Sequence, residues 1–241
     1  MAGDVAKRVA GEAAAELVED GMRLGLGTGS TVAYFLDALA ARGLEVAGVP
    51  TSEATATRCA ELGIRLLDLA EVRSLDLVVD GADELTGDLS LTKGGGGAHL
   101  REKVVASLGT RFVVIATVDK EVERLGDTFP IPIEVVPFAR WPVQRTLEER
   151  GFEVVVRERD GRELRTDNGN LVLDARLPGG IEDPAITDVA LQLVPGIAET
   201  GLFVDLATEA VLGADDGTVH RRRAHADVVA LGDEDGVPAP G

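Results

Sequence analysis

The sequence predicts an α/β protein, a doubly wound sheet domain into which a smaller α+β domain is inserted. Three observations predict it. Short apolar runs alternate with amphipathic helical segments as far as Thr117, the pattern of a parallel sheet covered on both faces. Glycine-rich loops follow the strands and open the helices, where such sheets bind ligands. Near Pro130 the rhythm changes to strand–helix–strand–strand–helix–strand, which is a different unit.

Val5, Val9, Ala13, Leu17 and Val18 recur at helical spacing, so the chain opens with a helix ending before Asp20-Gly21. Residues 22–26 read as a short strand running into Gly25-Leu26-Gly27-Thr28-Gly29-Ser30-Thr31. The next helix places Val32, Phe35, Leu36 and Leu39 on one face and closes at Gly43. A strand at 44–49, a helix at 53–62 and a strand at 64–67 follow. Residues 75–79 form a strand that delivers Asp80, residues 98–108 a helix, and residues 112–117 a buried strand. The loops at 27–31, 50–55, 80–84 and 93–97 then lie at carboxyl ends of strands or lead into the following helix. That shared edge makes them one site.

Beyond Pro130, residues 131–136 read as a strand, 139–150 as a helix and 152–157 as a strand. The turn signal Asp167-Asn168-Gly169-Asn170 precedes a strand at 171–175. A helix from Pro184, a residue suited to the first helical position, to Leu193 and a strand at 197–203 complete a βαββαβ, ferredoxin-like unit. Residues 204–206 and 210–212 read as strands that rejoin the first sheet. The expected layout is a Rossmann-like catalytic domain over 1–130 and 204–232, with the α+β domain at 131–203 inserted into it. Residues 233–241, acidic with Pro and Gly, read as a flexible tail.

At 241 residues, 45% hydrophobic and 27% charged, the chain has the composition of an ordinary globular protein with a sizeable core. The 42 acidic residues against 24 basic ones give a formal charge of −18, which argues against a nucleic-acid or anionic-membrane partner. A few local lysines and backbone amides can still hold one phosphate within that field. The acidic excess and the preference for Arg over Lys resemble proteins of salt-loving organisms. A halophilic protein would melt higher in molar KCl, where the Debye length is about 3 Å; an acidic mesophile protein would not. Cys59 is the only cysteine, so no intrachain disulfide forms and a reducing compartment is expected. The opening residues, with Asp4, Lys7 and Arg8, follow a helical pattern rather than that of a signal segment, and the longest apolar run, 112–118, is too short to span a bilayer. A cytoplasmic protein is expected.

The segment Val79-Asp80-Gly81-Ala82-Asp83-Glu84, with Lys93-Gly94-Gly95-Gly96-Gly97 downstream, sets three carboxylates, a lysine and four glycines just after an apolar strand. Glycine lets backbone N–H groups approach an anionic ligand, and carboxylates beside a lysine are the means of proton transfer. Asp80 and Asp83 leave the strand on a turn containing Gly81, so both can face one pocket; acidic turn caps are the plain alternative. Like charges there raise one pKa, and Lys93 depresses both. Glu102 lies about one helical turn beyond Ala98 and would alone read as a solvated helix glutamate.

The loop Gly27-Thr28-Gly29-Ser30-Thr31 joins a strand to a helix, so its amides, its hydroxyls and the positive helix end suit a phosphate. It lacks the spacing of a dinucleotide fingerprint and the lysine of a Walker loop. A tight turn with hydroxyl caps is the alternative. Thr51-Ser52-Glu53-Ala54-Thr55 reads equally well as a helix cap. Lys7 and Lys120 suit the surface, but Lys120 follows the strand ending at Thr117, at the ligand edge. The histidines are His99, His220 and His225, none of them paired in a ligand-type setting beside carboxylates, so no metal is expected. Nothing near Cys59 would activate it, and no cofactor motif is present.

Taken together, GTGST (27–31), TSEAT (51–55), DGADE (80–84) and KGGGGAHLREK (93–103) resemble the A-type ribose-5-phosphate isomerases. The likeness extends to TDNGN (166–170), to Gly201-Leu202-Phe203 and to a turn region at Gly213, and so covers the chain to about residue 223. The motifs are weak singly and specific in their order and spacing. One departure is Gly97-Ala98-His99-Leu100, where a bulkier histidine enters; the spacing from Lys93 to Glu102 is kept.

The resemblance implies an α/β domain with a smaller α+β domain, a small phosphosugar substrate, and a homodimer or homotetramer. It implies that Lys7, Thr28, Gly29, Ser30, Thr31 and Lys120 bind the phosphate. Asp80, Gly81, Ala82, Asp83, Lys93, Gly94, Gly95 and Gly96 would bind the sugar, and Glu102 would be the catalytic base. The implied reaction converts D-ribose 5-phosphate to D-ribulose 5-phosphate through an enediolate, without a metal, in the non-oxidative pentose phosphate pathway. Lys93 with the loop amides would stabilise the oxyanion, Asp80 would assist ring opening, and Asp83 would hold the sugar hydroxyls and Lys93. A non-catalytic phosphosugar-binding effector domain is the alternative from another class, but it has no need of the carboxylate–lysine set. A phosphosugar deaminase or lactonase would be expected to use a histidine or a different carboxylate arrangement.

Overall fold

The computed structural model describes residues 3–224. In chain order its elements are α1 (Asp4–Ala15), β1 (Arg23–Leu26), α2 (Ser30–Ala41), β2 (Ala47–Pro50), α3 (Glu53–Glu61), β3 (Arg65–Leu66), β4 (Leu77–Gly81), β5 (Glu84–Leu85) and β6 (Leu91–Thr92). Then come α4 (His99–Ser107), β7 (Phe112–Thr117), β8 (Ile131–Val135), α5 (Arg140–Glu149), β9 (Glu153–Val156), β10 (Glu158–Arg159), β11 (Arg162–Glu163) and β12 (Leu171–Arg176). The last are α6 (Pro184–Gln192), β13 (Ile197–Thr200), β14 (Leu202–Phe203), β15 (Glu209–Gly213) and β16 (Val219–Arg223).

The main sheet has seven strands in the order β16-β15-β7-β4-β1-β2-β3, parallel except for β16. Period-two alternation explains its two cores. Leu77, Val79, Val113 and Ile115 face the side covered by α1 and α2, while Val78, Phe112, Val114 and Ala116 face the other. The chain runs outward from β1 through β2 to β3 and returns to β4 on the other side of β1, so the strand order reverses between β1 and β4. Ligands of such sheets sit at that crevice, outside the carboxyl ends of the strands. The helix α1 packs on α2, β7 and β15. Its close approach needs Gly213, since a Cβ there would lie 1.9 Å from the Ala6 carbonyl oxygen. Gly213 thus ends β15 just before the turn closed by the Gly217 amide on the Ala214 carbonyl, and the contact brings Lys7 over the ligand edge.

The strands β8, β9, β12 and β13 form an antiparallel sheet in the order β13-β8-β12-β9, with its own apolar core joined by Val143, Leu147 and Leu191 of α5 and α6. This is the split βαββαβ arrangement.

Several boundaries differ from the sequence reading. The strand expected at 44–49 starts only at Ala47. The strand expected at 197–203 is two, because the chain leaves the four-stranded sheet at Gly201. Leu202–Phe203 then pairs with β6 in a three-stranded sheet, β14-β6-β5, that period-two reading did not reveal. Residues 204–206 form no strand. The edge strand β16, whose Val-His-Arg-Arg-Arg sequence reads as polar chain, pairs antiparallel with β15. The tail expected at 233–241 lies outside the described residues.

Candidate active site

The site begins at the N-terminus of α2. Gly29 is the cap residue, at φ 127°, and no side chain caps the helix. The first amides of α2 therefore have no intrahelical partner and face the crevice with the positive end of the helix. The contrast with α3 is direct, since there Ser52 Oγ accepts from Thr55 N at 3.1 Å. The segment 51–55 also serves the loop before α2. The Thr28 hydroxyl lies 2.8 Å from Thr51 Oγ1, donates to Ser52 Oγ at 2.8 Å and lies 3.1 Å from Thr55 Oγ1. Thr55 Oγ1 in turn donates to the Gly27 carbonyl at 2.8 Å. The Thr28 hydroxyl is thus committed to this network, which leaves loop amides, Ser30 and Thr31 to face the cavity. Lys7 from α1 and Lys120, in the 3₁₀ turn Val118–Lys120 after β7, line the same cavity.

Next to the start of α2 lies a buried ionic cluster. Lys93 leaves β6 and is pinned by its own amide, which donates to the Gly201 carbonyl at 2.8 Å. Its Nζ lies 3.1 Å from Asp80 Oδ2 and 3.3 Å from Glu102 Oε2, and donates to the Gly81 carbonyl at 2.6 Å. All three side chains are almost inaccessible to solvent. Burial alone would lower the Lys93 pKa, but the surrounding carboxylates of Asp80 and Glu102 outweigh it and hold it above its ordinary value. Lys93 is therefore a fixed cation.

Asp80 stands behind Lys93. Its Oδ1 accepts the amides of Thr28 at 3.0 Å and Gly81 at 2.7 Å, and Oδ2 faces Lys93. Its packing against the loop before α2 requires Gly27, because a Cβ there would lie 2.2 Å from Asp80 Oδ1. This corrects the expectation that Asp80 and Asp83 face one pocket. Both Asp80 oxygens are taken by protein donors, and only Asp83 lines the cavity.

Glu102 stands in the first turn of α4, with Oε2 buried and paired with Lys93 Nζ at 3.3 Å. Burial, and then the charge of Asp80, push its pKa up to about 8 against the pull of Lys93. A carboxylate so tuned exchanges protons near neutral pH. Asp83 is raised as well, chiefly by burial, and opposed by the Gly95 amide, which it accepts at 2.8 Å, and by Lys93, Lys120 and Arg157.

One cavity is thus lined by Lys7, Thr28, Gly29, Ser30, Thr31, Gly81, Ala82, Asp83, Lys93, Gly94, Gly95, Gly96, Glu102 and Lys120. Of the residues the resemblance assigned to substrate binding or catalysis, Asp80 alone is missing from its lining. The lysines of the chain are Lys7, Lys93, Lys103 and Lys120, so three of four line this one cavity of an acidic protein. The third carboxylate of DGADE turns elsewhere. Glu84 accepts the amides of Gly126, Thr128 and Phe129 at 2.7–2.8 Å, and so ties β5 to the segment after Lys120. His99 is wholly buried, and its pKa is held down to about 3 by burial and by the nearby cations Arg157 and Lys103. His220 lies on exposed β16, and His225 lies outside the described residues. The Cys59 thiol is buried, which pushes its pKa up to about 11. Among the described residues no three His, Cys, Asp or Glu side chains converge as a metal-binding set, and no helix is long and apolar enough to cross a membrane.

Sequence reasoning missed the residues that hold these loops from the α+β unit. Arg101, beside Glu102, bonds Asn168 Oδ1, the Asp167 carbonyl and Glu53, while Asp167 Oδ2 accepts the Glu53 amide at 2.9 Å at the start of α3. The TDNGN match marked that loop without indicating its partners. Arg157, which touches the glycine loop, had no local signal at all.

The family model for ribose 5-phosphate isomerase A (phosphoriboisomerase A) matches residues 47–217. Ribose-5-phosphate isomerase A of Caulobacter sp. (strain K31) is 52% identical over 225 residues, covering 91% of this chain and 98% of that protein. The protein of that name from Bacillus mycoides (strain KBAB4) is 44% identical, with coverage of 88% and 96%. Among solved structures, ribose 5-phosphate isomerase A of Methanocaldococcus jannaschii superposes with a TM-score of 0.85 at 38% identity, covering 90% of this chain and 97% of that one. A D-ribose-5-phosphate isomerase in complex with phospho-erythronic acid superposes at 0.89 and 35% identity, with coverage of 92% and 100%.

Proposed function

The chain belongs to the ribose 5-phosphate isomerase A family, and we propose that it interconverts D-ribose 5-phosphate and D-ribulose 5-phosphate with Glu102 as the shuttling base. The observation that carries this reading is the buried Glu102 carboxylate on the wall of a cavity whose other end offers an uncapped helix terminus, Lys7 and Lys120 to a phosphate.

With the phosphate at the start of α2, the sugar extends toward Asp83, Lys93 and Glu102. Glu102 takes the proton from C2, the C2–H electron pair forms the C1–C2 double bond, and negative charge moves to O1. The same carboxyl returns a proton to C1, while the hydroxyl proton on O2 is lost and O1 gains one. Lys93 and the glycine-loop amides stabilise the enediolate, a contribution of about 3 kcal/mol for a well-placed donor. Asp80 keeps Lys93 charged and in place. Asp83, on the cavity wall with its pKa raised, is the group suited to hold the sugar hydroxyls and to exchange a proton during ring opening. A non-catalytic phosphosugar sensor is disfavoured, because a buried carboxylate–lysine set is costly to maintain without chemistry to perform.

Homo-oligomeric assembly and a cytoplasmic location belong to the same proposal; a single, buried and unreactive cysteine is consistent with the latter. The decisive experiment is a coupled assay of ribose 5-phosphate with the wild type and Glu102→Gln. The reading requires wild-type turnover and a loss of several orders of magnitude in kcat with little change in KM; near-normal turnover by the variant would remove Glu102 from the chemistry.

A further inference from the structure

Arg157 follows β9 in the α+β unit, far in sequence from the site. Its Nε and Nη2 grip the Asp174 carboxylate on β12, with Nε at 2.9 Å from Oδ2. The remaining nitrogen, Nη1, donates to the carbonyls of Gly94 and Gly95, the latter at 3.0 Å. The guanidinium is largely screened from solvent. It therefore spans two anchors at once, a carboxylate fixed on a strand and two successive carbonyls of the glycine loop.

Peptide geometry makes that grip consequential. In a planar trans peptide the C=O of one residue and the N–H of the next point in opposite directions. Holding the Gly94 carbonyl on Arg157 turns the Gly95 N–H the other way, and it donates to Asp83 Oδ2 at 2.8 Å. Holding the Gly95 carbonyl turns the Gly96 N–H likewise. That amide has no hydrogen-bond acceptor among the described residues, and Gly96 lines the cavity. The Gly97 amide closes a turn on the Gly94 carbonyl at 2.9 Å, but that bond leaves the Gly95–Gly96 peptide inside the turn able to rotate, and glycines free in φ and ψ do not fix it unaided.

We propose that Arg157 is a positioning residue of the isomerase site, holding the Gly94 and Gly95 carbonyls so that the Gly95 amide fixes Asp83 and the Gly96 amide is presented to the enediolate oxygens. The inference rests on the isomerase reading above and extends it to the α+β unit, which becomes a working part of the site through the Asp174–Arg157 pair. The Arg157 charge acts in the same direction, since it is one of the cations that oppose the effect of burial on Asp83.

The test compares wild type with Arg157→Gln, Arg157→Lys and Asp174→Asn in kcat, in KM for ribose 5-phosphate, and in affinity for two probes. Phospho-erythronic acid bears a carboxylate that mimics the enediolate, whereas inorganic phosphate reports on the phosphate end alone. Arg157→Gln is expected to lower kcat and phospho-erythronic acid affinity each by roughly 10- to 100-fold, with inorganic phosphate affinity within about twofold of wild type. Arg157→Lys keeps the charge but cannot fork between two anchors, so it falls with the Gln variant by about tenfold, and Asp174→Asn does the same more mildly. Wild-type kcat and analogue affinity in Arg157→Lys would overturn the proposal. So would an equal loss of both probes, which would make Arg157 a residue of the fold alone. Wild type that neither isomerises nor binds phospho-erythronic acid would instead sink the isomerase reading, and the proposal with it.

Discussion

Asp80 lies behind Lys93, 3.1 Å from its ammonium, and with its other oxygen holds the amides of Thr28 and Gly81. One carboxylate thus joins the loop before α2 to Lys93, the lysine that the proposal places at the reacting carbons. Removing its charge leaves Lys93 with fewer anionic partners and relieves the repulsion that helps raise Glu102. Asp80→Asn is expected to lower kcat by roughly 100-fold and to move the acid limb of the pH–rate profile to lower pH. A variant changed only in KM would place Asp80 on the substrate instead.

Glu102 works as a base only when ionised, and its pKa is pushed up to about 8 by burial first and by Asp80 second. In the wild type kcat/KM should therefore climb with unit slope as pH rises toward that value and level off above it. A profile flat down to about pH 5, the range of an ordinary carboxylate, would show that the base is not in this buried setting.

The same shift is a statement about stability. The folded state holds a proton on Glu102 that the unfolded state releases between pH 4.5 and about 8, so folded stability is greatest below that window and is lost as pH rises through it. Glutamine does not titrate. Glu102→Gln should therefore melt with the wild type at the acid end and at least about 2 °C above it near pH 9, the equivalent of ~1 kcal/mol in a chain of this size. Equal melting temperatures at both ends would contradict it.

In the proposed reading Lys7 and Lys120 contribute to phosphate binding rather than to the bond changes. Lys120→Met and Lys7→Met are each expected to raise KM by about tenfold and to weaken competitive inhibition by inorganic phosphate in step, with kcat reduced far less. A fall in kcat at unchanged KM would give either lysine a part in the transition state.

What was legible in the sequence follows from how local the information is. GTGST, DGADE and KGGGG were readable because a glycine loop at a strand end carries its geometry and its chemistry in the same few residues. Glu102 became readable only through the family resemblance, since a helix glutamate alone looks solvated. The rearward position of Asp80 was hidden because it depends on the Thr28 amide, 52 residues away. The break at Gly201 was hidden because both halves of 197–203 have strand composition and only their partners differ. Edge strand β16 failed the apolar pattern since it buries little; Arg221 and Arg223 instead face Glu209 across the pair. Arg157 reaches Gly95 over 62 residues of chain, a contact made by the topology of the α+β unit.

The account turns on a proton passing from C2 to C1 by way of Glu102. Ribose 5-phosphate deuterated at C2, incubated in ordinary water with wild type and with Glu102→Gln and followed by NMR, tests it directly. The prediction is that wild type forms ribulose 5-phosphate with part of the label lost to water, and that the variant is slower by about a thousandfold or more in both conversion and label loss. Complete retention of deuterium at C1, or label loss by Glu102→Gln at the wild-type rate, would contradict it.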